Sequence, residues 1–288
     1  MPSVFDPSTV AEAAEILRAG GRVAIERDRD GADVVVSTAR LNRILEHEPG
    51  DLTVIVEAGL RLSELQAALE PHGQMLALDP PGDPTIGACL AADLSGPRRH
   101  RYGAMRDLVI GVTVVLADGT VASSGGKVVK NVAGYDLGKL FSGSRGRLGL
   151  IARVALRLHA RPATSATVVV EDRDLRETWT ELQRSQLVPS AVDLLPPDCL
   201  ALLFEGAEAA VEAQVAAVAG VRPADASIWE ESAARQLAGN AVPFGWQPCL
   251  LARPGAGLAW VEESQPEPVW PPLAERVRAA FDPAGVLA

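Results

Sequence analysis

The sequence predicts an α+β fold with two domains, and three features lead to this prediction. Amphipathic helices are mixed with short β-branched runs through residues 1–162. Beyond Pro162 the order strand, helix, strand, strand, helix is that of a ferredoxin-like unit. A proline-rich stretch before residue 272 then leads into a last helix. We therefore expect a first domain at 1–162, an abridged ferredoxin-like cap domain at 163–264, and a connector and helix at 265–288 that return to the first domain.

Composition and charge narrow the class of protein. The chain has 288 residues, 48% of them hydrophobic, which is enough to fill the cores of two domains. A net charge of −10 argues against a nucleic-acid partner. The cysteines form no CxxC pair, so the sequence indicates no disulfide framework and no zinc or iron–sulfur site. With neither a signal peptide nor a membrane span in the pattern, we expect a cytoplasmic protein that reaches a membrane only through partners.

The first elements are predicted from capping and from β-branched runs. A capping box at Thr9 predicts a helix that ends before a Gly-Gly pair. Strands are expected at 22–26, 33–37 and 52–57. A second capping box, at Ser63, predicts the start of another helix.

The following segment is rich in glycine and proline. The prolines at 80–84 predict a rigid loop, and the small residues after it enter a helix near 89–93 whose free N–H groups would suit a pyrophosphate. An Asp-Gly turn predicts a β-hairpin over 108–123. A short helix at 136–141 and a long strand at 148–158 complete the first domain.

The second half is assigned by periodicity alone. The expected strands and helices are, in order, strand 167–171, helix 174–185, strands 191–195 and 199–205, helix 207–219, helix 229–238, strands 250–252 and 258–261, and helix 272–281.

Three motifs together carry a resemblance to a known family. They are SGPRR-x-RYG beginning at Ser95, KNVAGYDL ending at Leu137, and GS-x-G-x-LG beginning at Gly143. The stretch that contains them closely resembles the FAD-binding domain of the vanillyl-alcohol oxidase and p-cresol methylhydroxylase superfamily. Within that superfamily it looks like the FAD-binding accessory subunits of bacterial glycolate oxidase complexes. The resemblance implies two α+β subdomains with FAD between them.

The resemblance also implies a set of FAD-binding residues, which largely contact the cofactor through backbone groups. Those expected along the pyrophosphate and the ribityl chain are Pro81, Gly82, Thr85, Ile86, Gly87 and Ala88. Those that continue this wall and close its loop are Asp93, Ser95, Gly96, Tyr102 and Gly103. Those expected at the isoalloxazine and adenine ends are Tyr135, Asp136, Gly143, Gly146, Leu148, Gly149 and Ile151.

Several of these features have a second interpretation. Tyr135 and Asp136 are equally typical of a helix cap. Arg98 and Arg99 fit a solvated surface as well as a phosphate clamp. Relatives carry a glycine-rich loop where this chain has residues 26–31, whose three carboxylates would repel a diphosphate.

The polar residues argue against an independent enzyme. The four histidines are scattered, and no nucleophile arrangement or metal-ligand spacing is present. The first hypothesis is an accessory subunit that binds FAD non-covalently and supports electron transfer between a catalytic FAD subunit and an iron–sulfur subunit of a glycolate-oxidase-type complex. The alternative is a flavin-free scaffold that holds the same two partners together. An independent oxidase would need a base that the sequence does not supply.

Overall fold

The computed structural model describes residues 2–26, 31–126, 136–171, 173–246, 248–262 and 271–287. Within these ranges the α-helices are α1 Val10–Arg18, α2 Leu62–Leu69, α3 Ile86–Ala92, α4 Arg99–Tyr102, α5 Met105–Leu108, α6 Leu137–Phe141, α7 Leu175–Arg184, α8 Glu208–Ala217, α9 Ser227–Ala238 and α10 Pro272–Phe281. Short 3-10 helices lie at Pro49–Asp51, Glu70–His72 and Pro254–Ala256.

The strands of the described residues form four sheets. Their bounds are β1 Ser3–Phe5, β2 Val23–Ile25, β3 Val34–Val36, β4 Ile44–Glu48, β5 Thr53–Glu57, β6 Gln74–Met75, β7 Val109–Val115, β8 Val121–Gly125, β9 Leu150–Arg157, β10 His159–Ala160, β11 Thr164–Val170, β12 Ala191–Leu195, β13 Cys199–Gly206, β14 Val221–Ala224, β15 Asn240–Pro243, β16 Leu251–Arg253 and β17 Leu258–Val261.

The first sheet is small and parallel, with the strand order β1-β3-β2. Helix α1 covers it, and the buried Leu17 packs in one cluster with Val23 and Val36. The end of the chain also reaches this sheet, because the N–H of Val23 donates to the carbonyl of Val286 at 2.6 Å and Leu287 pairs with Val23. This sheet therefore contains residues from both ends of the described chain.

The second sheet is antiparallel, with the order β4-β5-β9-β7-β8. Its buried face packs against α2 and α3, and Leu65, Ile86 and Leu90 join the main hydrophobic core. The hairpin of β7 and β8 turns at Asp118-Gly119, as the sequence predicts. The two-residue strands β6 and β10 form a separate pair.

The third sheet contains only strands that follow residue 163, in the order β14-β11-β13-β12-β16-β17-β15. Its first four strands have the order and the antiparallel pairing of a ferredoxin-like unit. Helices α7 and α8 contribute Trp179 and Val211 to the core beneath them. The α+β fold class is thus confirmed, while the domain boundaries at 162 and 264 stay a prediction.

The two predicted capping boxes have different outcomes. At α1 the Thr9 hydroxyl accepts the N–H of Glu12 at 3.1 Å, and the Glu12 carboxylate accepts the N–H of Ser8 at 2.7 Å. At α2 the prediction is wrong, because the helix starts one residue before Ser63. The N–H and hydroxyl of Ser63 donate to Asp83 in the next loop.

Candidate FAD-binding cleft

A cleft of about 750 Å³ opens where α3 faces the ends of β2 and β3 and the loop that precedes β9. This volume lies within the range of small-molecule sites. The lining residues are Ile25, Glu26, Thr38, Gly87, Ala88, Ala91, Ala92, Leu94, Arg145, Gly146, Arg147, Gly149 and Ile151. Five of them, Gly87, Ala88, Gly146, Gly149 and Ile151, belong to the set implied by the family resemblance.

Helix α3 forms one wall of the cleft, and its small residues leave the space open. Gly87 has no room for a side chain on its inner side, since an added Cβ would lie 2.8 Å from the Cβ of Ala58. The helix therefore docks closely on the chain that follows β5, and the N–H of Gly87 donates to the carbonyl of Ala58 at 2.6 Å.

The N-terminus of α3 differs from the sequence prediction, because its N–H groups are not free. Ile86 donates to the carbonyl of Leu60 at 2.8 Å, Gly87 donates to Ala58, and Ala88 donates to the hydroxyl of Thr85 at 3.2 Å. The expectation that this helix start offers free donors to a pyrophosphate is therefore wrong. Thr85 acts as the N-cap residue of α3.

The loop from Gly143 to Gly149 forms the opposite wall. Its backbone is tied to α3, since Gly143 donates to the carbonyl of Leu90 at 3.0 Å and Arg145 donates to that of Ala91 at 2.8 Å. Arg145 has a positive φ of 52°, which turns the loop sharply. Arg145 and Arg147 bring two positive charges to the lining, which the sequence analysis missed although both lie inside the GSRGR motif.

Glu26 brings a carboxylate to the same cleft. Its φ is 69°, and its carboxylate accepts the N–H of Thr38 at 2.7 Å and the Thr38 hydroxyl. Thr38 is buried and lies just after β3. The negative charge of Glu26 is therefore held against the wall by two donors, which reduces its repulsion toward an anionic ligand.

The remaining implied residues that precede α4 have structural contacts. Ile86 is part of the core, and Pro81 and Gly82 lie in the loop before α3, where Gly82 has a φ of 75°. Asp93 ends α3 with a φ of 48° and accepts the N–H of Arg106. Ser95 is buried and its hydroxyl accepts from Arg99. Gly96 packs on Asp79, and nothing larger than hydrogen fits there.

The implied residues from α4 onward are similarly placed. The ring of Tyr102 packs edge-on against that of His159 at 4.9 Å, and Gly103 has a φ of 82°. Asp136 is the N-cap residue of α6, where its carboxylate accepts the N–H of Lys139 at 3.1 Å. Leu148 lies in the main core. Tyr135 and residues 27–30 lie outside the described residues, so the expectations for them stay predictions.

Arg98 pairs with two carboxylates of this chain. Its guanidinium donates to the Glu205 carboxylate from Nε at 3.2 Å and from Nη2 at 2.7 Å, and it lies 3.6 Å from Asp79. Burial raises the pKa of Asp79 to about 6, against the opposing effect of Arg98. This arginine therefore joins the chain before α4 to the third sheet.

No histidine lines the cleft within the described ranges. His47 contacts Gln74 and the ring of His72. His100 and His159 pack against Trp179 and Tyr102, and burial lowers the pKa of both. Among the same residues no group of three or more His, Cys, Asp or Glu side chains is placed to hold a metal ion.

The cleft residues fit a bound dinucleotide in size and in charge. Glycine and alanine on α3 leave the volume open, while Arg145 and Arg147 add positive charge to the lining. Gly146 has a φ of 79°, and an added Cβ there would lie only 3.3 Å from the Cβ of Ile25. A side chain at this position would therefore crowd the wall of the cleft. A flavin bound in such a cleft would supply electron-transfer chemistry, and the protein would supply binding and electrostatics.

The fold and the cleft together define a class of protein. Residues 7–125 match the family model described as FAD binding domain. The solved structure of alkyldihydroxyacetonephosphate synthase superposes with a TM-score of 0.67, at 16% identity, over 84% of this chain and 58% of that chain. The chain contains a FAD-binding domain of the p-cresol methylhydroxylase type, as its motifs predict, and FAD is the cofactor of that domain.

Particular relatives are similar over part of their length. Glycolate oxidase subunit GlcE of Escherichia coli (strain K12) is 34% identical over 199 residues, which are 67% of this chain and 56% of that protein. Mitochondrial D-lactate dehydrogenase (cytochrome) 1 of Saccharomyces cerevisiae is 32% identical over 179 residues, which are 61% of this chain and 30% of that protein. The chain thus spans about half the length of the first relative and less than a third of the second. Within the described residues, no helix has the length and hydropathy to cross a membrane.

Proposed function

We propose that the chain is a FAD-binding accessory subunit of a glycolate-oxidase-type complex that oxidises a 2-hydroxy acid. In this role it binds FAD non-covalently in the cleft beside α3 and supports electron transfer from a catalytic flavoprotein subunit toward an iron–sulfur subunit. The cleft itself carries the proposal, because it combines a volume of about 750 Å³ with two lining arginines. The similarity to a glycolate oxidase subunit supports the choice of complex.

The chemistry of the lining supports an accessory role. Oxidation of a hydroxy acid needs a group that takes the hydroxyl proton. Glu26 is the carboxylate among the described lining residues, and its Oε1 already accepts two hydrogen bonds from Thr38. We therefore assign no catalytic residue and propose that the partner subunit performs the substrate chemistry.

A flavin-free scaffold is the second candidate, and one observation favours it. The first N–H groups of α3, which could otherwise bind the pyrophosphate, are used by Leu60, Ala58 and Thr85. A scaffold would keep the fold and its partners without holding a cofactor.

Flavin binding separates the two candidates. We expect the purified chain to take up about one equivalent of FAD and to release it on denaturation, as measured by the visible spectrum. Ala92→Trp places an indole on the cleft-lining side of α3 and should abolish uptake. Ala213→Trp, at an exposed position of α8, is the matched control and should retain it. A colourless wild-type chain that takes up no added FAD would reject the flavoprotein and leave the scaffold.

A further inference from the structure

The segment from Asp79 to Gly96 carries α3, and its two ends are fastened to each other. An added Cβ on Gly96 would lie 1.7 Å from the Asp79 carbonyl oxygen, so the two backbones are in direct contact. The Asp79 carboxylate also accepts the N–H of Arg98 at 3.1 and 3.2 Å. The base of this segment is therefore a closed loop.

Two residues from the second half of the chain, one on β13 and one on α9, contact this base. Glu205 of β13, which is 4% exposed, binds the Arg98 guanidinium through both Nε and Nη2. Gln236 of α9 donates from Nε2 to the carbonyl of Ser95 at 3.0 Å. One contact lies at each side of Gly96, so the base is held at two neighbouring points.

The residues that make these contacts are themselves fixed. The Gln236 amide oxygen accepts from Arg253 Nη1 at 2.7 Å, and Arg253 Nε donates to Asp193 at 2.9 Å. Arg253 and Asp193 are 2% and 0% exposed. A buried, hydrogen-bonded pair of this kind allows little side-chain movement.

We propose that Glu205 and Gln236 are positioning residues for FAD, although neither lines the cleft. They hold the base of the Asp79–Gly96 segment and thereby the cleft-lining side of α3. Leu90 and Ala91 of α3 also accept hydrogen bonds from Gly143 and Arg145. A shift of α3 would therefore move both walls of the cleft. This inference rests on the proposed flavin binding and adds that affinity depends on the third sheet.

Glu205→Gln tests the proposal, because it removes the charge that binds Arg98 while keeping the shape. We expect the Kd for FAD, measured by quenching of flavin fluorescence, to rise roughly tenfold, which corresponds to about 1.4 kcal/mol. Glu171→Gln is the matched control, since Glu171 forms a bidentate pair with Arg222 at the exposed end of β11. Its Kd should equal that of the wild type.

Hydrogen–deuterium exchange of the apoprotein supplies a readout that does not need FAD. Amides of residues 86–94 should exchange faster in Glu205→Gln and at the wild-type rate in Glu171→Gln. A folded Glu205→Gln with unchanged Kd and unchanged exchange would overturn the proposal. If the wild type takes up no FAD, the proposed function fails, and the exchange rates alone decide whether the contact holds α3. Should Glu205→Gln not fold, Gln236→Met is measured in the same way.

Discussion

Asp79 contributes a titratable carboxylate to the junction between the sheets, 3.6 Å from Arg98. Arg98, Arg253 and Asp193 are the charged groups that act on its carboxylate. Burial raises its pKa from 3.8 to about 6. A group whose pKa is higher in the folded chain stabilises the fold at low pH, and that contribution is lost as the pH rises through the folded pKa. The ionised Asp79 is therefore a cost to the fold above pH 6.

We expect Asp79→Asn to remove this pH dependence. The side-chain oxygen of asparagine can still accept the N–H of Arg98, but it carries no charge to bury. The unfolding free energy of the variant minus that of the wild type should increase by on the order of 2 kcal/mol as the pH rises from 5 to 8. Urea denaturation at both pH values measures this difference.

Comparing the pH profiles of the variants separates the effect of the Asp79 carboxylate from that of the histidines. Burial lowers the pKa of His100 and His159, so their contribution to stability changes with pH in the opposite direction. Asp198→Asn, at an exposed position beside β13, should keep the wild-type profile. Parallel profiles for Asp79→Asn and the wild type would contradict the assignment.

Single residues of the site were predictable where a motif contains them. Gly146 and Gly149 belong to the GS-x-G-x-LG motif, Gly87 belongs to the small residues after the proline-rich loop, and the cleft forms beside them. The partner of Arg98 was not predictable, because Glu205 lies 107 residues further along the chain and no local pattern joins the two. An arginine that is free on the surface and one that pairs with a distant strand have the same appearance in a sequence.

Helix α3 shows the same limit for a whole element. Its small residues and its approximate position were predictable, but the acceptors that bind its first N–H groups were not. Their acceptors, Ala58 and Leu60, belong to the chain that follows β5. Tertiary contacts of this kind decide whether a helix start can bind an anion.

We expect the N-cap of α3 to matter for both stability and flavin binding. Thr85→Val removes the hydroxyl that accepts the Ala88 N–H, which should lower the unfolding free energy by about 1 kcal/mol. Thr9→Val removes the equivalent hydroxyl at α1 and should have a similar cost. Only Thr85→Val should also raise the Kd for FAD. Equal Kd values for the two variants would show that the start of α3 does not influence the cleft.

The longer elements were predicted well, and several of the short strands were missed. The β7–β8 hairpin and strands β9, β12 and β13 follow from clear turn signals and β-branched runs. The sequence analysis did not identify β1, β4, β14 or β15, which have three to five residues each. Two of them contain proline, which weakens a strand pattern. Sheet pairing stabilises these strands more than their own composition does.

The whole molecule should unfold as one unit because polar contacts join its two halves. All five tryptophans lie between residues 179 and 270, so tryptophan emission reports on the second half alone. Release of FAD would report on the first half. We expect both signals to change at the same temperature, since Glu205 and Gln236 link the halves. Two separate transitions would show that the contacts are too weak to couple them.

The pairing of Val23 with Leu287 also has a consequence for synthesis. Leu287, which pairs with the edge of the first sheet at β2, is translated long after β2 itself. While the chain is being made, β2 has an open edge that other strands could pair with wrongly. The first sheet is thus completed only after Leu287 has been made, and until then this edge of a nascent chain should remain open to chaperones.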